Sequence, residues 1–455
     1  MDLITAYPVA VGSAIATYTL LIAMCWPRWM AFGTGRKWHG ASVRAFIAHP
    51  VKPTQHYLPG FDFMRGFAAM LVAAGHLWHF NYYATYPAQL TVPQLGYAAK
   101  GVPMFVMLSG FLIYRSVLGI KNISSLKTYF WRRLFRIYPA YLVSVALTVF
   151  MGQLDGSRFA MDSVSFFFSE LFAMRALGAS GFANPVTWSL YVEMIFYILL
   201  PAFVALVGRR CMVPAAIIGG LVFILGDGGV SREVSLWKFF FFGILVSELA
   251  LRDREKVDAG EAGIFHQYIL IGMLLLGTIW LWFDLRGPVF DIFGNVLEPL
   301  KDGANYTIGL GVAYSLIMLS LARLPQVGRI LDIFFLRYLG VISYSVFLIH
   351  PFYMVANFPG LDLINFQSQV EMWKEWPTMP SWFFFFVYLT GLLIWSTMVF
   401  LLVEKPALKW GNIWIKRRAP IWARENIGGI QIKEPAKAKV AIEPSTNGPP
   451  ERPAF

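Results

Sequence analysis

What most constrains this chain is a recurrent run of apolar residues, again and again long enough to cross a bilayer. A membrane helix needs about 17–25 predominantly apolar residues. Stretches of that kind recur at about 5–26, 61–80, 98–118, 135–151, 186–208, 211–226, 236–251, 264–283, 305–323, 335–357 and 381–403. The pattern predicts an all-α polytopic membrane protein with about eleven transmembrane helices. The run at 163–176, SVSFFFSELFAMRA, is too short to span and reads as interfacial or re-entrant. Composition agrees: 57% of the 455 residues are hydrophobic and 14% are charged, against about 45–50% and about 25% in a soluble domain. An ordinary soluble enzyme, a disordered chain and a secreted disulfide scaffold are excluded.

The formal net charge of +12 follows topology. The segments 27–60, 114–136, 209–210, 252–263, 323–337 and 404–424, which alternate with the spans, carry most of the 38 lysines and arginines. Such loops face the cytoplasm, so the N-terminus is expected outside and the C-terminus inside. Nucleic-acid binding has no support beyond the basic charge and is rejected. The first residues have neither a positive n-region nor an A-x-A cleavage site, so they are read as a retained helix. Cys25 and Cys211 offer no metal spacing and no disulfide framework. No Walker, dinucleotide or H-E-x-x-H motif occurs, and no metal site is expected. The division expected is an extra N-terminal helix (1–34), a basic cytoplasmic loop (35–58), a membrane domain (59–410) and a disordered cytoplasmic tail (411–455).

Ionisable groups within apolar spans are costly and mark function by default. In FDFMRGFAAMLVAAGHLWHF, Arg65 and His76 are eleven residues apart. Eleven steps of about 100° return to within roughly 20° of one helical face, with a rise of about 16 Å. One face therefore joins an anion-binding group at the cytoplasmic end to a titratable imidazole in mid-membrane. That arrangement suits a phosphate-bearing donor whose reactive end points inward; for either residue alone, snorkelling or packing is the simpler reading. In YFWRRLFRIYPAY, Arg133 and Arg136 share a face and can clamp phosphates, although in isolation plain positive-inside topology explains them. In NPVTWSLYVEMIFYILLP, Ser189 and Glu193 are one turn apart. A buried Glu193 needs a partner, and a histidine such as His76 is the best choice, with an arginine or a proton relay as alternatives. In RYLGVISYSVFLIHPFYM, His350 precedes Pro351 and lies close to Ser343, Tyr344 and Ser345. It is read either as an acceptor-binding or proton-transfer group or as a packing histidine at a proline kink. His79 is placed near the acceptor entrance, and the FFFF runs at 239–242 and 383–386 are read as lipid-facing or core filler.

In order and spacing these stretches resemble the acyltransferase 3 family of integral membrane acyltransferases, which includes O-acetylases of bacterial surface polysaccharides. The resemblance rests on D-F-M-R-G-F-A-A with its histidine, G-V-P-M-F-V-M-L-S-G-F-L-I at 101–113 and R-R-L-F-R-I-Y-P at 132–139. It continues through W-S-L-Y-V-E-M-I-F-Y at 188–197, L-G-V-I-S-Y-S-V-F-L-I-H-P at 339–351 and V-E-K-P at 403–406. It implies a ten-helix core preceded here by one extra helix, in a bacterial inner membrane. It also implies transfer of an acyl group, acetyl first and succinyl second, from cytoplasmic acyl-CoA to a hydroxyl of a cell-surface or periplasmic carbohydrate. Acyl-CoA (acetyl-CoA) is then a co-substrate rather than a permanently bound cofactor, and membrane lipid surrounds the protein. The family's first motif matches Arg65 and His76, and its basic pair matches Arg133 and Arg136. On that reading Arg65, Arg133 and Arg136 hold the phosphates, and His76 is general base or transient acyl carrier. Glu193 supports it, and Ser189, Tyr344 and His350 meet the acceptor. The chain departs from the family in its extra helix with the basic loop at 27–60. It also lacks a fused extracytoplasmic hydrolase-like domain, which leaves open a separate periplasmic acyl-transfer partner. A glycolipid or polysaccharide-precursor transporter, or another polytopic O-acyltransferase built around a membrane histidine, stays as the alternative.

Overall fold

A computed structural model describes residues 58–83, 100–155, 186–225, 235–260, 266–283, 303–331, 333–355 and 381–418. The expected N-terminal helix, the 163–176 helix and the tail beyond Arg418 lie outside them, as does the His79 side chain. Among the described residues the secondary structure is helical, with no strand. The helices are α1 (Pro59–Tyr83), α2 (Gly101–Leu118), α3 (Ile123–Asp155), α4 (Thr187–Val207), α5 (Met212–Leu225) and α6 (Trp237–Asp258). They continue as α7 (Gln267–Phe283), α8 (Gly303–Arg323), α9 (Pro325–Leu331), α10 (Phe334–Val355) and α11 (Ser381–Val399). A π-helical turn, Phe400–Glu404, then leads directly into α12 (Lys405–Arg418).

Gly101–Leu118, Thr187–Val207, Phe334–Pro351 and Tyr388–Arg417 are each long and apolar enough to cross a bilayer, and Met212–Leu225, Gln267–Leu281 and Ile308–Arg323 are shorter apolar helices. The chain is thus an all-α polytopic membrane protein. α3 begins well before the apolar run expected at 135–151, so Arg133 and Arg136 sit inside a continuous helix. α12 reaches Arg418, which makes 411–418 helical where a tail was expected. Its aromatic side is the reason: Trp414 meets Trp131 at 4.3 Å between centroids, and Phe135 packs against both Trp410 and Trp414.

The helices that matter most for the site are α1 and α10, which lie side by side in extensive contact. Glycine permits the close approach. A Cβ on Gly66 would lie 2.7 Å from the Leu339 side chain, and one on Gly340 would lie 2.3 Å from the Asp62 carbonyl. Ten residues further along each helix, His76 meets His350. Both contacts advance in the same sense, so the two helices run parallel, with about 15 Å of axis between the glycine contact and the histidine contact. A second glycine-mediated pair joins α2 to α6, where Gly110 faces the Phe240 backbone and Gly243 faces Met107. Phe239, Phe240 and Phe241 are buried at that seam, so this aromatic run is core and not lipid-facing.

Candidate active site

Side chains of α1, α2, α3, α4 and α10 enclose a cavity of about 280 Å³. Its polar wall comprises Arg65, Ser109, Arg133, Arg136, Ser189, Glu193, Tyr197, Ser343 and Tyr344, and Phe105 and Phe347 line its apolar side. Three guanidinium groups face one carboxylate, so the wall carries a formal excess of positive charge. Arginine suits such a place because its planar fork binds phosphate or carboxylate bidentately.

Each arginine is held differently. Arg65 lies 3.9 Å from Asp62, one turn earlier on α1, a pairing too long to neutralise it fully. Arg133 donates to the Ser116 hydroxyl at 2.9 Å, and its guanidinium lies over the Tyr129 and Tyr197 rings at 5.5 and 5.2 Å from their centroids. Those rings give the cation a rigid seat without cancelling its charge. Arg136, one turn on from Arg133, lines the same wall.

Glu193 accepts hydrogen bonds from the Ser109 hydroxyl and from Tyr197, which follows it by one turn on α4. The expected pairing of Glu193 with His76 is therefore not what the fold makes. Helix α2 brings a serine to the carboxylate, whereas His76 turns toward α10. Ser189 donates to the Val186 carbonyl at 3.2 Å, and the Tyr344 hydroxyl donates to the Ile137 carbonyl at 2.9 Å. Both, expected beside the acceptor, line the arginine cavity.

His350 is fully buried. Its Nε2 lies 2.9 Å from His76 Nδ1, with the rings 5.0 Å apart. Its Nδ1 lies 3.2 Å from the Val346 carbonyl. A carbonyl only accepts, so His350 Nδ1 carries the proton and His350 Nε2 offers a lone pair. His76 Nδ1–H then donates to it, which leaves His76 Nε2 as the basic nitrogen. This assigns the tautomers from the bonding pattern. The dyad is not part of the cavity wall. It is linked to it through Phe347, whose ring lies 6.0 Å from that of His350 and which lines the cavity. Arg65 and His76 lie on the continuous helix α1, Arg65 at the cavity wall and His76 against His350.

The structure also brings forward groups that the sequence alone left without a role. Ser109 and Tyr197 bond Glu193; the signal for Tyr197 was its i+4 spacing. Glu404, in the π turn, is buried and accepts from the Ser345 hydroxyl at 2.9 Å. Away from the cavity, a fully buried Glu248 accepts from Tyr114 at 2.7 Å, from Arg252 at 2.7 Å and from Arg209 at 3.2 Å. Beside it Arg323 donates to Asp253 at 2.7 Å and Arg115 donates to Ser247 at 3.2 Å. Among the described residues no group of three His, Cys, Asp or Glu could hold a metal ion.

Comparison with known proteins fits a membrane acyltransferase. The chain is 29% identical over 159 residues to nodulation protein 10 of Rhizobium leguminosarum bv. viciae, a match covering 31% of this chain and 42% of that protein. It is 32% identical over 147 residues to ORF330 of Acidianus two-tailed virus, named as an acetyltransferase, covering 32% and 41%. It is 30% identical over 190 residues to YrhL of Bacillus subtilis (strain 168), named as a peptidoglycan O-acetyltransferase, covering 38% and 28%. The matched stretch is thus less than half the length of each of these curated relatives. No solved structure matches the chain. The profile of the acyltransferase 3 family, described as an acyltransferase domain, matches residues 58–400, which include every residue of the arginine cavity and the histidine dyad. The chain belongs to the acyltransferase 3 family.

Proposed function

We propose that the protein transfers an acyl group, acetyl in the first instance, from cytoplasmic acyl-CoA to a hydroxyl of a cell-surface or periplasmic carbohydrate. The observation that carries this reading is α1 itself. It sets Arg65 in a three-arginine cavity and His76 about 16 Å further along, in a dyad whose bonding leaves the basic site on His76 Nε2. A donor with phosphates at one end and a thioester at the end of a long flexible arm has the matching shape. The names of two relatives, one an acetyltransferase and one a peptidoglycan O-acetyltransferase, support acetyl as the transferred group.

In this account the phosphates lie against Arg65, Arg133 and Arg136. Glu193 balances part of that charge and fixes the Ser109 and Tyr197 hydroxyls at the wall. The thioester reaches His76. Two routes use the same nitrogen. As general base, His76 Nε2 takes the proton of the acceptor hydroxyl, the oxygen attacks the thioester carbonyl, the C–S bond breaks, and the thiolate leaves and takes up the proton. As nucleophile, Nε2 attacks the thioester carbonyl, the C–S bond breaks and the thiolate leaves; the acceptor hydroxyl oxygen then attacks the acyl-imidazolium, the C–N bond breaks, and the hydroxyl proton passes to the thiolate. In either case the imidazolium that forms keeps its Nδ1–H on His350 Nε2, which stabilises it. Trapping an acyl-histidine separates the routes. The acceptor approaches from the outer face, in a bacterial inner membrane with the N-terminus outside and the C-terminus cytoplasmic, and a separate periplasmic partner is one way to complete transfer.

The test is mass spectrometry of surface and periplasmic glycans from cells with the wild-type protein and from cells with His76→Ala at equal protein level. Loss of an acyl mass increment from one glycan in the variant supports the reading and names acyl group and acceptor together. Glycans that are identical in both strains, with equal release of CoA in their membranes, overturn it.

A further inference from the structure

Along α1 the arginine cavity and the histidine dyad lie apart, and two phenylalanines stand where they meet. Phe105 of α2 and Phe347 of α10 both line the cavity, and their rings meet edge to face with centroids 5.7 Å apart. On its other side Phe347, one turn before His350, lies 6.0 Å from the imidazole that bonds His76. Phe347, 8% exposed, belongs to one apolar cluster with Val72, and Val102 and Phe105 pack against it. Val72 is one turn before His76, so the cluster lies along α1 between Arg65 and the dyad. The start of α2 is pressed onto the same stretch, since a Cβ on Gly101 would lie 2.7 Å from both the Ala68 carbonyl and the Val72 side chain.

The backbones around the pair are held by glycine contacts, α10 on α1 at Gly66 and Gly340 and α2 on α6 at Gly110 and Gly243. The rings have more freedom. Each borders the cavity, which offers space into which it can turn. Rotation of a side chain is therefore the easy motion here, and displacement of a helix the costly one.

We infer that Phe105 and Phe347 form an aromatic gate between the cavity and the dyad, which the donor's arm parts to carry its thioester to His76. This rests on the donor-site reading above and adds a step to it. Closed, the pair keeps water in the cavity away from His76 Nε2. Water competes with the acceptor: its oxygen attacks the thioester carbonyl, the C–S bond breaks, its proton passes to the thiolate, and free acid and CoA leave. A static plug of packed rings would behave otherwise, since trimming it would loosen the core without opening a path.

Two readouts on the full chain test the gate: access to position 76, and acetyl-CoA hydrolysis in membranes without acceptor. For access, His76→Cys is combined with Cys25→Ser and Cys211→Ser and labelled in inside-out vesicles with a charged, membrane-impermeant methanethiosulfonate. A minor open state is populated about 0.1–10%, so adding Phe105→Ala should speed this labelling at least about tenfold. With His76 in place, Phe105→Ala should raise CoA release without acceptor in the same direction. Phe105 is the first choice because Phe347 also touches His350. Phe347→Leu should act in the same sense to a smaller extent, and it serves if Phe105→Ala does not fold. If position 76 is labelled as fast with both rings intact, or if neither variant changes labelling or hydrolysis, the gate is wrong and the donor site stands. If Arg136→Ala leaves CoA binding to the purified chain unchanged, the donor site is wrong and the gate falls with it.

Discussion

Two glutamates, the fully buried Glu248 and the half-buried Glu193, show how one residue type serves two ends in the same membrane domain. Glu248 is surrounded by charge-assisted partners: Arg252, Arg209 and the Tyr114 hydroxyl all donate to it, and Arg209 also pairs with Glu255 at 2.8 Å. Its arginines are spent on the carboxylates. Among the described residues Glu193 has two hydroxyl donors, and the arginines of the same wall face a cavity. The first arrangement neutralises charge to tie the turn between α4 and α5, and α6, to α2. The second leaves charge open for something that enters. Buried charge is thus informative when one asks where its partners point, more than where it sits.

The comparison can be broken by exchanging effects between the two sites. The largest expected change comes from Glu248→Ala. It strands two arginines at a helix junction and should destabilise the protein by about 3–5 kcal/mol, seen as loss of thermal stability in detergent, while the molecules that remain folded keep their turnover. Glu193→Gln keeps the shape and should do the opposite, lowering turnover about a hundredfold, equivalent to about 2.7 kcal/mol of barrier, with melting temperature nearly unchanged. If both variants lost stability and activity in proportion, the distinction between the sites would fall. Next in size is Gly243→Ala, whose Cβ would lie 2.2 Å from the Met107 carbonyl. Forcing α2 from α6 should cost about 1–3 kcal/mol in stability without a specific effect on KM. The smallest is Arg133→Lys, which keeps the charge but loses the planar fork seated on Tyr129 and Tyr197. It should raise KM for acetyl-CoA about fivefold at unchanged kcat, measured on membranes.

How much of this was legible in the sequence follows from the range of each interaction. Helix positions were readable, since apolar runs broken by basic loops gave 98–118 for the observed Gly101–Leu118 and 264–283 for Gln267–Phe283. The relation of Arg65 to His76 was readable because it lies within one helix. The partner of His76 was not: His350 is 274 residues away, and its meeting with His76 depends on the Gly66 and Gly340 contact that lays α10 along α1. For the same reason the partner proposed for Glu193 was the wrong kind of residue, since only the packing of α2 on α4 brings Ser109 to it. Glu248 was passed over because it lies at the end of an apolar run beside a phenylalanine tract, although Arg252 one turn later was a local hint. Glu404 was visible only as a letter in a motif. It is buried against Ser345 in a π turn that hydropathy does not mark.

The central claim, that the α1 histidine performs acyl transfer from a donor held by the arginine cavity, is tested most directly by acetyl-CoA turnover in membranes. Wild type and His76→Gln would be compared at matched protein level with the native acceptor present. The account predicts a fall of at least about a hundredfold in CoA release, the ordinary contribution of a positioned acid–base group, with CoA binding retained. Full turnover in His76→Gln would contradict it.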